Sequence, residues 1–469
     1  MATMANSTVL EVKKKREPFV PPDGWVVQAF QFALDLTDDQ RRICARQWGG
    51  RRYAYNWTLR TIKTGVDNYN ATGVESEPPS FYRLRKQWNA AKDTLCVDSE
   101  TGEMWWPEVG KEAFADGVRG AVEGYWNWQR SKSGNRKGRK MGFPRFKKKG
   151  RDQDRFTITT GVMRLEPDRR HLSISKLGCV RTHENTRKIE RLVTSGRARI
   201  LAVTVRRSGS RAIASLRVIV ARPQQPSSGA TSVVGVDVGV HTLATVANAE
   251  GRVLERVANP TPLANELSAL RRLNRQRSRR QKGSRQYRAS NEQITRLHRR
   301  IRDIRVHHIH NLTTRLAKTH GTIVVEGLDA AGMLCQKGLN GARARRRGLA
   351  DAALAEPRRQ LRYKCSWYGS QLIEADRFFP SSKTCHTCGH VQDIGWARSW
   401  TCDECRAIHD RDDNAAINLA RWPKCQSDDL GGVAAPVKHG AVHKTGPRPA
   451  AGVDMRKSRR TERLAGATP

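Results

Sequence analysis

A chain of 469 residues is longer than one hydrophobic core serves, and 38% apolar content is enough for packing, so at least two folded domains are expected. Lysine and arginine total 86 against 45 aspartate and glutamate, a net charge of +41, and self-repulsion on that scale disfavours compactness unless a polyanion neutralises it. Counterion release makes nucleic acid the expected partner, and a membrane is disfavoured because no stretch approaches 18 uninterrupted apolar residues. The N-terminus MATMANSTVLEVKKKREPF lacks the apolar middle of a signal peptide, so a cytoplasmic, nucleoid-associated protein of a prokaryotic cell is expected. Thiols stay reduced there, and the ten cysteines read as metal ligands or buried side chains rather than disulfides.

Residues 1–22 read as a disordered basic lead. GWVVQAFQFALDL alternates as a strand, and Thr37 with Gln40 makes a capping box for a helix through QRRICARQWGGRRYAYNWTLRTIK. Trp-rich segments to about residue 130 read as helical, and KSGNRKGRKMGFPRFKKKG as a loop whose dense charge contacts a nucleic-acid backbone. Residues 154–222 switch to a period of two, with ILAVTVRR and RAIASLRVIVA forming a hairpin about Ser-Gly-Ser. RPQQPSSGATS then reads as a linker, and VVGVDVGVHTLATVAN as two strands joined at Gly239. Residues 262–318 form a long Arg-rich helical region with an apolar stripe of Ile294, Leu297, Ile301, Ile304, Leu312 and Leu316. GTIVVEGLD is a further strand, and RRQLRYKCSWYGSQLIEADRFF a helix followed by a strand. Pro357 places a start or kink in that helix. From about residue 426 the Gly/Pro/Ala-rich chain reads as a disordered tail.

Two stretches carry chemistry. Cys385, Cys388, Cys402 and Cys405 are spaced C-x2-C-x13-C-x2-C, two knuckles suited to one structural Zn2+ with a closed four-sulfur shell. Gly389 follows the first knuckle, whereas Arg406 stands at the equivalent place after the second, where a left-handed turn would strain it. The second stretch is acidic. Asp237 lies inside VVGVDVGV and Glu326 ends TIVVEG, and an ionised carboxylate in an apolar strand is costly unless paired or bound to a cation. Each alone could simply pair with an arginine. HDRDDNAAIN adds Asp410, Asp412 and Asp413 at a helix start, where one capping residue suffices and Asn414 could supply it. Three acids from two strands and one helix can hold two Mg2+ ions that activate water and stabilise the leaving oxygen of a phosphodiester.

Together GVDVG, VVEGLD, PSSKTCHTCGH and HDRDDNAAIN resemble the TnpB family of transposon-encoded RNA-guided DNA nucleases, which is related to compact type V CRISPR effectors. GRRYAYNW at 50–57 and GFPRFKKKG at 142–150 are similar to further family segments, so the likeness spans roughly residues 25–422. The resemblance implies a multidomain α/β protein. Its parts would be a wedge-type β-barrel unit (23–36 and 151–225) interrupted by a helical recognition domain (37–150), and an RNase H-like, RuvC-type nuclease domain (226–380 and 408–425). A zinc ribbon (381–407) would be inserted in the latter, with 426–469 as a tail. It also implies catalytic, Mg2+-binding roles for Asp237, Glu326 and Asp412, the last because it stands two before Asn414. A guide RNA and target DNA are the implied partners. Arg52, Tyr55 and Asn56, Arg145, Lys147 and Lys148, and Arg299 and Arg302 are candidate nucleic-acid contacts, although aromatic residues such as Tyr53, Tyr55 and Trp57 more often pack in a core. Arg411 reads as a counter-charge to its acidic neighbours. Competing readings are a guide-directed binder that represses without cutting, a guide-free transposase or resolvase, and a zinc-ribbon RNA-binding protein.

Overall fold

The computed structural model describes residues 19–74, 77–159, 161, 163–222, 229, 231–335 and 342–428. Most of the basic lead, most of the 222–232 linker, and residues 429–469 of the tail lie outside them.

Strand β1 (Trp25–Asp35) enters helix α1 (Asp38–Thr72) through the capping box: Gln40 N donates to Thr37 Oγ1 at 3.2 Å, and Thr37 N to Gln40 Oε1 at 3.1 Å. Helices α2 (Phe81–Leu95) and α3 (Lys111–Lys132) follow. At Gly117 a Cβ would fall 2.4 Å from the Arg51 carbonyl oxygen, so α1 and α3 cross in backbone contact. The chain then forms β2 (Arg155–Thr159), β3 (Met163–Leu165), β4 (His171–Ile174), β5 (Gly178–Thr182), α4 (Arg187–Thr194), β6 (Ala198–Ser208) and β7 (Arg211–Ala221). These strands and β1 make one antiparallel sheet in the order β2-β6-β7-β1-β5-β4-β3. The β6–β7 hairpin turns at Gly209, with φ 63°. The returning β7 pairs with β1 from Ala221↔Trp25 to Ala212↔Leu34, so the sheet closes over a helical excursion of more than 100 residues. Phe32, Phe156, Val203 and Leu216 of the sheet share one core with Trp48, Trp88 and Phe114 of the helices. Among the described residues no ladder joins the end strands β2 and β3.

A second sheet holds β8 (Val233–Asp237), β9 (Thr242–Asn248), β10 (Val253–Ala258), β11 (Thr322–Glu326) and β12 (Gln371–Ala375), in the order β10-β9-β8-β11-β12. The first three form an antiparallel meander; β8, β11 and β12 run parallel. Between β10 and β11 come α5 (Pro262–Asn265), α6 (Leu267–Ser278) and the 35-residue α7 (Arg285–Thr319). The apolar stripe of α7 divides: Ile294, Leu297 and Ile301 meet Leu270 and Leu273 of α6, whereas Ile309, Leu312 and Leu316 lie against Val234, Val236 and Ile323 of the sheet. After β11 come α8 (Ala330–Cys335), α9 (Ala342–Ala352) and α10 (Ala355–Tyr368), and Pro357 stands in the first turn of α10, where its missing N–H has no intrahelical partner to lose. A small hairpin of β13 (Ser399–Thr401) and β14 (Ile408–Asp410) runs straight into α11 (Arg411–Asp428), which extends past the expected start of the tail at residue 426. Among the described residues no helix is long and apolar enough to cross a membrane.

Candidate active site and metal centre

The register of β8 and β11 pairs Val236 with Val325, which makes Asp237 and Glu326 the terminal residues of neighbouring parallel strands. Such strands lie about 4.8 Å apart with paired side chains on one face. Helix α11 crosses β8 at Gly235, where a Cβ would meet Ala416 O at 2.0 Å and Ala420 N at 2.3 Å, so only glycine admits the helix. Asp237 is two residues on and faces the same side, toward the first turn of α11 and Asp412. The electrostatics record the convergence. Burial first, then the charges of Asp412 and Glu326, push the Asp237 carboxyl up to about 8, with Arg411 opposing them. Glu326 is raised by burial, again against Arg411. Asp412 is raised by burial and by Asp410, against Arg398 and Arg411.

The three adjacent aspartates have separate tasks. Asp410 is the cap of α11: its Oδ1 accepts from Asp412 N at 2.9 Å and Asp413 N at 3.2 Å. Asp413 is clamped by the Arg256 guanidinium of β10. Asp412 is left to the carboxylate site, with Arg398 Nη2 at 3.5 Å. Asn414 is therefore not the cap. It is fully buried, donates to Ser381 O at 3.2 Å and Thr384 O at 2.7 Å, and accepts from His386 N and Nδ1, each at 3.0 Å. Asn418, one turn on, donates to the same two carbonyls at 2.8 and 2.7 Å. The i, i+4 asparagine pair is a sequence signal for this contact that single-residue reading misses. Arg398, fourteen residues before Asp412, carries no local signal at all.

The sulfur atoms of Cys385, Cys388, Cys402 and Cys405 all lie within 4.8 Å of one another, with Cys385–Cys405 and Cys388–Cys402 at 3.6 Å. Four sulfurs about 2.3 Å from a tetrahedral Zn2+ would be about 3.8 Å apart, so this cluster could hold one zinc ion. The two knuckles are alike: Gly389 N donates to Cys385 O at 2.8 Å and Arg406 N to Cys402 O at 3.0 Å. Arg406 takes the left-handed φ of 61° that its counterpart Gly389, at 80°, adopts freely. Buried His409 sets Nε2 3.0 Å from Cys385 Sγ, a contact that cysteine spacing does not reveal.

The candidate nucleic-acid contacts divide. Arg52 pairs with Asp154 at 2.8 Å, Tyr55 is buried, and Asn56 exchanges hydrogen bonds with the backbone of Lys147 at 3.0 and 2.8 Å. Tyr55 is buried and Arg52 and Asn56 are half-buried because this side of α1 packs on α3 and the 143–150 loop, so the polar groups of all but Tyr55 already have partners within the chain. Trp57 likewise packs edge-on against Trp88. Lys147 is half-buried with its amine 4.2 Å from the Tyr55 ring centre, and burial, then Arg51 and Arg155, lowers it to about 8. Arg145 and Lys148 are exposed; Arg302 is exposed but bonded to Asp303 at 2.7 Å, and Arg299 is half-buried.

Three family models match the chain: one described as a probable transposase over residues 215–336, a Cas12f1-like TNB domain over 355–419, and a helix-turn-helix domain over 26–70. A Mycobacterium tuberculosis (strain H37Rv) protein, named as a candidate RNA-guided DNA endonuclease, is 60% identical over 438 residues, covering 93% of this chain and 95% of that one. The chain belongs to the TnpB family. Escherichia coli K12 InsQ, similarly named, is 29% identical over 78% of this chain and 84% of its own. A solved Cas12f1–guide RNA–target DNA complex aligns with 85% of this chain and 99% of that one at a TM-score of 0.43 and 13% identity, a distant likeness. In this TnpB-family chain the TNB match contains the four cysteines and the start of α11, while the helix-turn-helix match falls on β1 and one uninterrupted helix.

Proposed function

We propose that the protein is an RNA-guided DNA endonuclease whose Asp237, Glu326 and Asp412 hold two Mg2+ ions in a RuvC-type, RNase H-like domain. The observation that carries this reading is the placement of Asp237 and Glu326 at the ends of paired parallel strands with the first turn of α11 and Asp412 laid against them, and the Asp237 carboxyl, pushed up to about 8 by burial and by both neighbours, agrees with it. That grouping is unfavourable for the chain alone and suited to divalent cations. The oxygen donors fit hard Mg2+ as the thiolates fit softer Zn2+. Bound there, the Mg2+ pair would supply an activated water and neutralise charge on the leaving oxygen of a phosphodiester. Asp237 releases its proton as the site loads. Arg411 favours the ionised form of all three carboxyls, and Arg398 balances Asp412.

The β8–β11 pairing and the order β10-β9-β8-β11-β12 support the nuclease assignment, and the names of the relatives support the guide RNA. The charge of +41 suits two polyanions, with base pairing to the guide choosing the target and the N-terminal sheet and α1–α3 reading a short adjoining motif. The test is cleavage of DNA matched to the copurified RNA. Asp237→Ala, Glu326→Ala and Asp412→Ala should each abolish Mg2+-dependent cutting while RNA still copurifies; undiminished cutting by one of them removes that residue from the site.

A further inference from the structure

Two large aromatic rings stand in solvent on the segments that adjoin the acids. Phe378 is 85% exposed and Trp396 is 80% exposed. Phe378 follows β12, whose Ala375 pairs with Glu326, and a Cβ on Gly327 would lie 3.7 Å from Arg377 Cα, so this strand exit runs beside the end of β11. Trp396 sits on the turn closed by Ala397 N to Ile394 O at 3.1 Å. Arg411 Nη1 donates to Gly395 O at 3.1 Å and Arg398 pairs with Asp412, which ties that turn to the carboxylate site from both sides of the ring. Each ring also carries a guanidinium: Arg345 lies 5.5 Å from the Trp396 centroid, and Arg377, which also pairs with Asp329 at 3.2 Å, lies 5.8 Å from that of Phe378.

One exposed ring is ordinary. Two rings next to one acid cluster, each with a cation, match a different chemistry. A nucleobase offers a π-face to stack on the ring, and its phosphate offers an anion to the arginine. A duplex hides its base faces, so the ligand must be single-stranded. We infer that Trp396 and Phe378 are nucleobase platforms that hold the single DNA strand on either side of the bond to be cut. They act as positioning residues: stacked bases fix the scissile phosphate relative to Asp237, Glu326 and Asp412. This rests on the endonuclease reading above.

The test uses the full protein with its copurified RNA, bound in Ca2+ to matching DNA that carries 5-iododeoxyuridine at one position at a time. After irradiation the crosslinked peptides are sequenced by mass spectrometry. Crosslinks at Trp396 and Phe378 from positions beside the cut, lost in Trp396→Ala and Phe378→Ala, are expected. Crosslinks confined to other residues, or reaching these two only from iodouridine in the RNA, overturn the inference. In Mg2+, each alanine variant should cut the intact strand roughly tenfold more slowly, the loss typical of one stacked base, and Trp396→Phe should recover most of the rate. Abasic nucleotides at the crosslinking positions should slow the wild type to the rate of the variants. Wild-type rates for both alanine variants on the intact strand would refute the platforms. If Asp412→Ala still cuts while the crosslinks persist, only the assignment of the acids falls.

Discussion

Gly235 and Ala416 are in backbone contact: a side chain of even one carbon at 235 would lie 2.0 Å from the Ala416 carbonyl oxygen. Through that contact α11 lies flat on β8, and the distance between Asp412 and Asp237 is set by a residue with no functional group. Gly235→Ala should therefore impair cleavage severely while every acid and every cysteine is retained. Overpacking of this kind costs about 1–3 kcal/mol, readable in denaturant unfolding. Wild-type cutting by this variant would show that the helix can shift without disturbing the site.

The aspartates of HDRDDN should separate functionally. Loss of the α11 cap in Asp410→Ala costs about 1 kcal/mol of stability, and Asp413→Ala frees Arg256. Both should keep Mg2+-dependent cutting within about tenfold of wild type, a modest barrier change of about 1.4 kcal/mol, whereas Asp412→Ala should lose it. Thermal melting beside cleavage rates distinguishes the cap from the site.

The raised Asp237 carboxyl has a signed consequence for pH. Its ordinary value is 3.8 and its folded value about 8, so between those limits the folded chain without Mg2+ holds a proton that the unfolded chain has lost. Stability then falls as pH rises through that window and levels off above about 8. In zinc-containing, Mg2+-free buffer, Asp237→Asn should melt above wild type at pH 8 and with it near pH 4. Mg2+ competes with this proton, so apparent Mg2+ affinity should rise by up to about tenfold per pH unit below 8. A flat affinity profile from pH 6 to 8 would argue against Asp237 as a ligand.

At the second knuckle, Arg406 occupies left-handed backbone at φ 61°, which costs a non-glycine residue about 1 kcal/mol. Arg406→Gly should relieve it, giving one bound zinc per chain and slower zinc release to a chelator. Cys402→Ser should leave the protein short of zinc by metal analysis and lower its melting temperature. An unchanged metal content would remove the zinc assignment.

Local chemistry along the chain already determined a good deal. The charge of +41 pointed to a polyanion, the two C-x2-C pairs to a four-cysteine cluster that could hold zinc, and Thr37 with Gln40 announced the start of α1. These signals are legible because each depends on residues a few positions apart, or on a sum over all of them. Asp237 and Glu326 stand out for the same reason: a carboxylate is out of place in an apolar strand. Only the tertiary structure decided what they stand beside. The parallel pairing of β8 with β11 joins positions 237 and 326, and the backbone contact at Gly235 adds Asp412. Neither follows from any local pattern. Packing likewise buried Tyr55, gave Arg52 and Asn56 partners within the chain, gave the cap of α11 to Asp410, and sent Asn414 to the cysteine knuckle. A side chain's identity states what it can bond to; which partner comes within reach is settled by the packing of elements far apart in sequence.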